Sequence, residues 1–279
     1  TRPHEQTYAF DWLGNTTTTD DDAHGFYDRS LGTITNSTYR LTSAFGTNGN
    51  LTAAYDPSGY MTDLSVVRVG DCLPAGSVCS HRYAYAWDEV GRLVQARRWD
   101  LETPGAAGST LPSAPPDVEL GYAYDGSDDR VRKTAVDAGD ERHTVYVFGS
   151  LELRRAVFAD GDYERSADTE VAYLFGHGVR LARLALESAD VPTLPGASGL
   201  HVFLELPDHL GSSSIVLDKA TSELVERSTY LPYGGAESDY RPERWRGFRE
   251  DYRFTGKEED VEVGLIYFGK RYLSPALGR

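Results

Sequence analysis

The sequence predicts an all-β fold, built from antiparallel hairpins that form a curved or spiralling array with little helix. Three observations support this prediction. The 279 residues include 18 tyrosines and 28 glycines but a single methionine, a composition that favours many short strands joined by tight turns. Aromatic residues alternate with small ones at a period of two in several segments, as in a strand with one bulky face. A turn pattern, aromatic–Asp–x–x–Gly, follows several of these segments.

The clearest hairpin is predicted over residues 83–100. Tyr85 and its aromatic neighbours alternate with alanines, which suits a strand with one bulky face. Asp88 then opens a turn that Gly91 closes, because type I turns favour Asp at the first position and Gly at the fourth. The residues from Leu93 to Trp99 can pair back as the return strand.

The same pattern recurs at residues 8–15, at 53–64 and, more loosely, at 25–34. A further copy keeps Tyr124 and Asp125, but there Asp129 replaces the closing glycine, which predicts a turn one residue longer. Because a single hairpin is only marginally stable in water, we expect the copies to share one sheet. Such a sheet is expected to curl, since closing or spiralling it removes exposed edges. The motif is therefore interpreted as scaffold and not as a chemical site.

The connections carry two further predictions. Residues 102–116 and 187–199 are rich in Pro, Gly, Ser and Ala, which predicts exposed and mobile insertions between strands. Cys72 and Cys79 flank a Pro- and Gly-containing turn, so a disulfide is favoured over two free buried thiols or a metal or catalytic role. A disulfide in turn favours a secreted or cell-surface location.

The net charge of −15 narrows the classes of partner. Nucleic-acid binding needs clustered cations, and an anionic membrane surface repels an acidic protein, so neither partner is expected. No apolar run approaches the roughly 18 residues of a membrane helix, so we expect no membrane insertion by this segment. The first ten residues lack an initiator methionine and a signal-peptide pattern, which suggests an excised or processed piece of a longer chain.

Short motifs follow one another in the last third of the chain. They are Asp208-His209-Leu210-Gly211-Ser212, Tyr230-Leu231-Pro232-Tyr233-Gly234, Phe254-Thr255-Gly256-Lys257, Gly264-Leu265-Ile266-Tyr267 and Arg271-Tyr272. Their succession closely resembles the RHS-repeat-associated core domain, and the earlier tyrosine–aspartate hairpins resemble RHS/YD repeats. The resemblance covers essentially the whole chain, loosely before Tyr122 and tightly after it. It implies shell-wall hairpins over residues 1–144 and a core region over 145–279 that continues the same sheet.

This resemblance implies a large hollow β shell. In polymorphic bacterial toxins and in the C components of insecticidal toxin complexes, such a shell encloses a variable C-terminal effector, and related shells occur in the cell-surface teneurins. In many toxin members the core frees the effector by an aspartyl-type self-cleavage. That cleavage uses Asp residues just beyond a Gly-Arg like Gly278-Arg279. Since the sequence stops at Arg279, no catalytic residue is carried over to it.

The expected function is therefore non-catalytic: a wall segment that encapsulates and delivers a C-terminal toxin effector. Its expected partners are that effector or other shell segments. The first alternative is a teneurin-like binding module whose tyrosine-rich face contacts a glycan or a surface protein. The second alternative is part of a self-cleaving core that needs residues beyond 279. Inward-facing tyrosines favour containment, whereas a compact outward tyrosine patch favours binding.

One segment contains the residue types of a hydrolase triad, namely Asp208, His209 and Ser212–Ser214. Adjacent Asp and His side chains on a strand point to opposite faces, which argues against a working triad. The favoured interpretation is a turn in which His209 is packed or hydrogen-bonded locally.

Two charged segments also have a chemical and a structural interpretation. Glu258–Asp260 offers three carboxylates for a metal, but consecutive charges on a turn are usually solvated. Residues 243–253 combine arginines with Trp245 and Phe248, as a base-stacking surface does. At this net charge, ion pairs with the neighbouring acids are favoured instead. We therefore expect no catalytic, metal-binding or cofactor-binding residue.

Overall fold

The computed structural model describes residues 4–22, 30–35, 38–46, 49–68, 78–137, 139–159, 161–163, 169–186 and 199–278. These residues contain 23 β-strands and four short 3₁₀ helices, and no α-helix occurs among them. The prediction of an all-β fold is confirmed. Within the described ranges, no helix has the length and apolar character needed to cross a membrane.

The chain forms two compact units, residues 1–120 and 121–279. The division at residues 144 and 145, which follows motifs and not compactness, stays a prediction. The strands of the first unit are β1 (Gln6–Phe10), β2 (Thr16–Asp21), β3 (Ser30–Thr35), β4 (Arg40–Gly46), β5 (Gly49–Tyr55), β6 (Met61–Arg68), β7 (His81–Trp87) and β8 (Leu93–Asp100). Each pairs antiparallel with the next. Strand β9 (Val118–Tyr124) contains the boundary between the units.

The second unit is another antiparallel succession, followed by a small separate sheet. Its strands are β10 (Arg130–Asp137), β11 (Asp140–Phe148), β12 (Leu151–Ala156), β13 (Phe158–Ala159), β14 (Asp162–Tyr163), β15 (Thr169–Gly176), β16 (Val179–Leu186), β17 (Leu200–Pro207), β18 (Ser213–Asp218), β19 (Leu224–Tyr230), β20 (Ala236–Tyr240), β21 (Glu258–Asp260), β22 (Leu265–Tyr267) and β23 (Tyr272–Leu273). Neighbours pair antiparallel from β10 to β12, from β12 directly to β15, and on to β20. Strands β21–β23 form the small sheet.

The predicted turn is confirmed at Asp88. The Gly91 N–H donates to the Asp88 carbonyl over 3.1 Å, and the Asp88 carboxylate accepts the N–H groups of Val90 and Arg92. Gly91 has a φ of +85°, a left-handed conformation that glycine adopts without strain. The same backbone bonds occur at the turns that begin with Asp11, Asp56 and Asp208.

The turn at Asp125 differs from its prediction. The Asp128 N–H donates to the Asp125 carbonyl over 3.2 Å, and the Asp125 N–H donates to the Asp129 carbonyl over 2.9 Å. Asp128 therefore takes the place of the closing glycine, with a φ of +66°. Aspartate tolerates this conformation better than most residues because its short side chain bonds locally. The turn has the common length, so the prediction of a longer turn closed by Asp129 was wrong.

The loop 102–116 is tied to the first unit by a buried arginine. Arg82 is completely buried, and its guanidinium donates to the carbonyls of Pro104 and Ser109 and to Asp63. The same Asp63 carboxylate accepts the Gly108 N–H over 2.7 Å. The loop connects two strands and exposes many of its side chains, as expected, but it is anchored on the sheet and not free of it.

Some predictions fall on residues outside the described ranges. Cys79 is disulfide-bonded, whereas Cys72 lies outside the described residues. Half of the turn copy at 25–34 and nearly all of the loop 187–199 also lie outside them.

Candidate functional site: a buried ion-pair seam beneath the C-terminal segment

Residues 241–278, here called the C-terminal segment, pack on the strands of the second unit. The contacts are made by charged side chains that both partners bury, and we call this set the seam. Its members on the strands are Arg130, Lys133, Glu152, Arg154, Arg180, Arg183, Glu205 and Glu226. Its members on the C-terminal segment are Glu250, Asp251, Arg253, Glu258 and Asp260. Burial of this many charges requires close pairing, because an unpaired charge is costly inside a protein.

The first part of the seam joins β10 to β21. The Arg130 guanidinium contacts Glu258 at 2.5 Å and Asp260 at 2.7 Å. Lys133 Nζ lies 2.9 Å from each of the same two carboxylates. Glu258 and Asp260 are 5% and 0% exposed, so the prediction that this acidic run is solvated was wrong.

Aromatic rings surround this charge cluster. The Arg130 guanidinium lies 4.2 Å from the ring centroid of Tyr267 and 5.3 Å from those of Tyr122 and Tyr146. The Tyr146 hydroxyl donates to Glu258 over 2.7 Å. A further hydroxyl pair, Tyr124 and Tyr272, lies 2.8 Å apart. Three residues of the predicted motifs, namely Tyr124, Tyr267 and Tyr272, therefore meet around an arginine that the sequence analysis did not identify.

The electrostatics of this cluster oppose acid–base chemistry. Burial by itself would raise the pKa of Glu258, but the charges of Arg130 and Lys133 outweigh it and hold that pKa well below its ordinary value. Burial likewise raises the pKa of Tyr146 well above its ordinary value. An aspartyl-type mechanism needs one carboxyl group that keeps its proton, and Glu258 does not keep one.

The second part of the seam joins β12 and β16 to the C-terminal segment. The Arg154 guanidinium contacts Asp251 at 2.6 Å and Glu152 at 3.0 Å. The Tyr252 hydroxyl donates to the carboxylate of Glu152. The Arg180 guanidinium lies 3.6 Å from the ring centroid of Tyr252, so an arginine and a tyrosine stack across the contact.

The third part combines ion pairs with the apolar core. Arg253 is buried and contacts Glu226 at 2.7 Å, and Arg183 contacts Glu250 at 3.3 Å. Trp245 and Phe248, each 1% exposed, pack with a cluster of buried apolar residues on β15–β19. Because both rings are buried, the base-stacking interpretation of residues 243–253 is excluded.

The arginines of that segment form ion pairs, as predicted, with some changes of partner. Arg246 pairs with Glu243 and Arg249 pairs with Asp251, but Arg244 pairs with Glu223, the residue before β19.

The Asp208 motif is a turn and not a triad. The Asp208 carboxylate accepts the N–H groups of Leu210 and Ser212 over 2.8 Å each. His209 was expected to be packed or hydrogen-bonded locally; it is exposed, so the packed alternative was wrong. Ser212 is buried, and its hydroxyl accepts the Thr255 N–H over 3.0 Å. This turn therefore contacts the C-terminal segment, and none of its groups form a nucleophile–base pair.

The remaining motif glycines allow close approach. A Cβ on Gly234 would lie 2.7 Å from Ile266 and 2.8 Å from Phe254, and a Cβ on Gly256 would lie 3.2 Å from the Gly211 carbonyl. Four of the predicted motifs therefore touch one another through glycines. Pro232 begins a 3₁₀ turn after Tyr230, whose hydroxyl donates to the Ser213 carbonyl. Gly264 closes another 3₁₀ turn in the left-handed conformation, and the Arg271 carbonyl accepts the Phe268 N–H.

The seam has no arrangement typical of a metal centre. Among the described residues, no three His, Cys, Asp or Glu side chains are placed to hold a metal ion. Each carboxylate in the first part faces a guanidinium or an ammonium group instead. The arrangement joins the C-terminal segment to the strands.

Of three comparisons with known proteins, the one with solved structures finds matches. No family model matches the chain, and no curated protein matches its sequence. Solved structures do match. In the crystal structure of TcdB2-TccC3 without the hypervariable C-terminal region, 98% of this chain aligns with 15% of that chain, with 19% identity and a TM-score of 0.54. The Tc holotoxin pore of Photorhabdus luminescens with the TccC3-D651A mutation gives 98% and 15% coverage, 18% identity and a TM-score of 0.53.

These matches concern the fold. The chain spans about a seventh of the length of the chains it resembles, and the identity is low. The resemblance to RHS proteins read from the motifs is therefore supported at the level of architecture. The chain has an RHS/Tc-like β-shell fold.

Proposed function

We propose that this chain is a non-catalytic wall segment of an RHS-type shell, which encapsulates a C-terminal toxin effector and delivers it outside the producing cell. The observation that carries the proposal is the coverage: 98% of the chain aligns with part of a toxin-complex structure whose described form lacks a hypervariable C-terminal region. The partners of the segment are the effector and neighbouring parts of the wall.

The seam supports a containment role. A wall segment must keep its shape against whatever it encloses, and a single sheet is easily bent unless something braces it. Ion pairs at 2.5–2.9 Å between buried groups brace β10 against β21. The low pKa of Glu258 keeps it ionised, so the brace needs no proton transfer.

The distribution of tyrosines favours containment over the binding module. Among the tyrosines whose side chains the structure describes, only Tyr39 and Tyr240 are exposed, at 50% and 53%. These two belong to different units, so each unit has a single exposed tyrosine among those described and not a patch of them. Tyrosines such as Tyr122 and Tyr173 are instead buried against the charges of the second unit.

The test uses the complete reading frame that contains this chain. We expect the sequence that follows residue 279 to survive trypsin at concentrations that digest the same sequence expressed alone. The seam variant Glu258→Gln/Asp260→Asn should lose this protection, whereas the surface variant Glu89→Gln should keep it. Digestion of the downstream sequence at the same rate with and without the wall would contradict containment.

A denaturing gel of the same preparation tests the absence of catalysis by these residues. If a fragment that ends near residue 279 accumulates, variants of the seam carboxylates show whether they take part. Cleavage that stops in Glu258→Gln while the wall stays folded would replace this proposal with the self-cleaving core.

A further inference from the structure

One seam carboxyl lacks the pairing that all its neighbours have. Glu205 on β17 is 5% exposed, and its Oε1 makes no hydrogen bond with any described residue. It lies on the same strand face as Phe203 and His201, which is the face that the C-terminal segment covers. A buried carboxylate with an oxygen that accepts no hydrogen bond is costly, so this position favours a carboxyl group that keeps its proton.

The surroundings of Glu205 contain a second carboxylate that already uses the nearby cations. Glu250 is completely buried, and it pairs with Arg183 at 3.3 Å and with Arg180 at 3.7 Å. Its Oε1 also accepts the Tyr252 N–H over 3.0 Å. The charged groups that act on Glu205 are thus Glu250 from the C-terminal segment, Arg180 and Arg183 from β16, and Arg154 from β12. A second negative charge here would face Glu250.

We propose that Glu205 is a proton-operated latch for residues 243–253: the neutral carboxyl lets this part of the C-terminal segment stay docked, and the ionised carboxylate loosens it by repelling Glu250. Docking in this part depends on Glu250 and on the buried rings of Trp245 and Phe248. Acidification therefore tightens the contact, and a rise in pH loosens it. The latch does not depend on what the wall encloses, so it can fail without affecting the containment proposal.

The pH range follows from linkage. Burial first, and Glu250 second, raise the pKa of Glu205 from 4.5 to about 8. Once the segment opens and water reaches the carboxyl, its pKa returns to the ordinary value. The stabilisation is therefore complete below about pH 4.5, is lost as the pH rises, and is gone above about pH 8. Within this range, the equilibrium constant for opening rises by up to about tenfold per pH unit.

Hydrogen exchange read by mass spectrometry on the whole chain tests the latch. Opening of residues 243–253 should increase on the order of a hundredfold between pH 5.5 and 8 after correction for intrinsic exchange, and at least tenfold if the pKa is nearer 7. In Glu205→Gln the same peptides should show little of this increase, because the amide stays neutral. Glu89→Gln, an exposed change of the same kind, should behave as the unmodified chain does. Peptides from β7 and β8 report on the first unit.

Two controls make the outcome decisive. His201 contacts Trp245, but it is present in both the unmodified chain and Glu205→Gln, so the difference between these two chains isolates Glu205. If Glu205→Gln does not fold, carbon-13 NMR of glutamate carboxyls in the unmodified chain should show one group that titrates far above the others. The latch is refuted by an opening constant that does not change from pH 5.5 to 8, by an equal rise in Glu205→Gln, or by the absence of such a carboxyl.

Discussion

Replacement of Arg130 by methionine tests whether the seam holds the second unit together. The variant keeps most of the apolar stem but leaves Glu258 and Asp260, both at most 5% exposed, with Lys133 as their remaining cation. Loss of one partner from a buried ion pair costs about 3–5 kcal/mol. The guanidinium also loses its contacts with three tyrosine rings, so we expect a value in the upper part of that range.

The assay is urea unfolding followed by pulsed hydrogen exchange, which reports each unit separately and does not assume that both unfold together. The free energy of unfolding falls by about 1–3 kcal/mol per molar urea, so the urea midpoint of the second unit should fall by at least ~1 M. The midpoint of the first unit should not change. Arg246→Met is the matched control, because Arg246 forms an ion pair with Glu243 in which both side chains are more than three-quarters exposed. Exposed pairs contribute little, so its midpoint should scarcely move.

A double-mutant cycle guards against a variant that does not fold. Arg130→Met/Glu258→Gln removes both charges, and we expect it to recover part of the lost stability, since loss of a whole pair costs less than loss of one partner. Acid unfolding gives a second check. Because the pKa of Glu258 is lowered in the folded chain, this group stabilises the fold above about pH 4.5, and that stabilisation is lost as the pH falls. In Arg130→Met, the loss of stability on acidification should be smaller. Equal midpoints for Arg130→Met and Arg246→Met would refute the reasoning.

Three further predictions concern single positions. Gly234→Ala should cost about 2–3 kcal/mol of stability, because its Cβ would lie 2.7 Å from Ile266 at a φ of +85°. The control Gly14→Ala, with a φ of +82° and nothing within 4 Å, should cost only about 1 kcal/mol, and equal urea midpoints for the two variants would contradict this. Asp88→Ala should cost about 1 kcal/mol of stability because the turn N–H groups lose their acceptor, while Asp88→Asn should keep most of that stability. Equal melting temperatures for the two variants would be evidence against a stabilising role of the Asp88 side chain. Burial raises the pKa of Tyr83 to about 12, so Tyr83→Phe should change the 295 nm absorbance at pH 11 by about a tenth of a tyrosinate in the native chain and by nearly a whole one in urea.

Local features of the fold were predictable because their causes are local. The hairpin around Asp88 and Gly91 follows from the alternation of side chains and from one turn type, and both act within a few residues. The turn at Asp125 shows the limit of this reasoning. Two aspartates in succession could each take the left-handed position, and only the hydrogen-bond register of the strands selects Asp128.

The seam was not predictable in the same way, because its partners are far apart in sequence. Glu258 contacts Arg130 across 128 positions, so the acidic run resembles a solvated turn when it is read alone. A usable signal was present on β17, where Glu205 stands between two leucines and shares a strand face with Phe203. A charged residue beside a large apolar one on the same face indicates that another part of the chain covers this face, although the sequence does not say which part.

The choice of charged groups for this contact has a physical reason. Replacing buried ion pairs with apolar residues often leaves stability unchanged or raises it, so the seam is not needed for stability alone. An apolar contact would let the C-terminal segment slide along the strands, since hydrophobic attraction has little directional preference. Each guanidinium of the seam donates hydrogen bonds in a fixed geometry and needs a carboxylate at the right distance and angle, as Arg154 has in Asp251 and Arg253 in Glu226. A shift by one residue would leave several charges buried without partners, so the seam specifies a single position for the segment, and a wall that must keep its shape requires that.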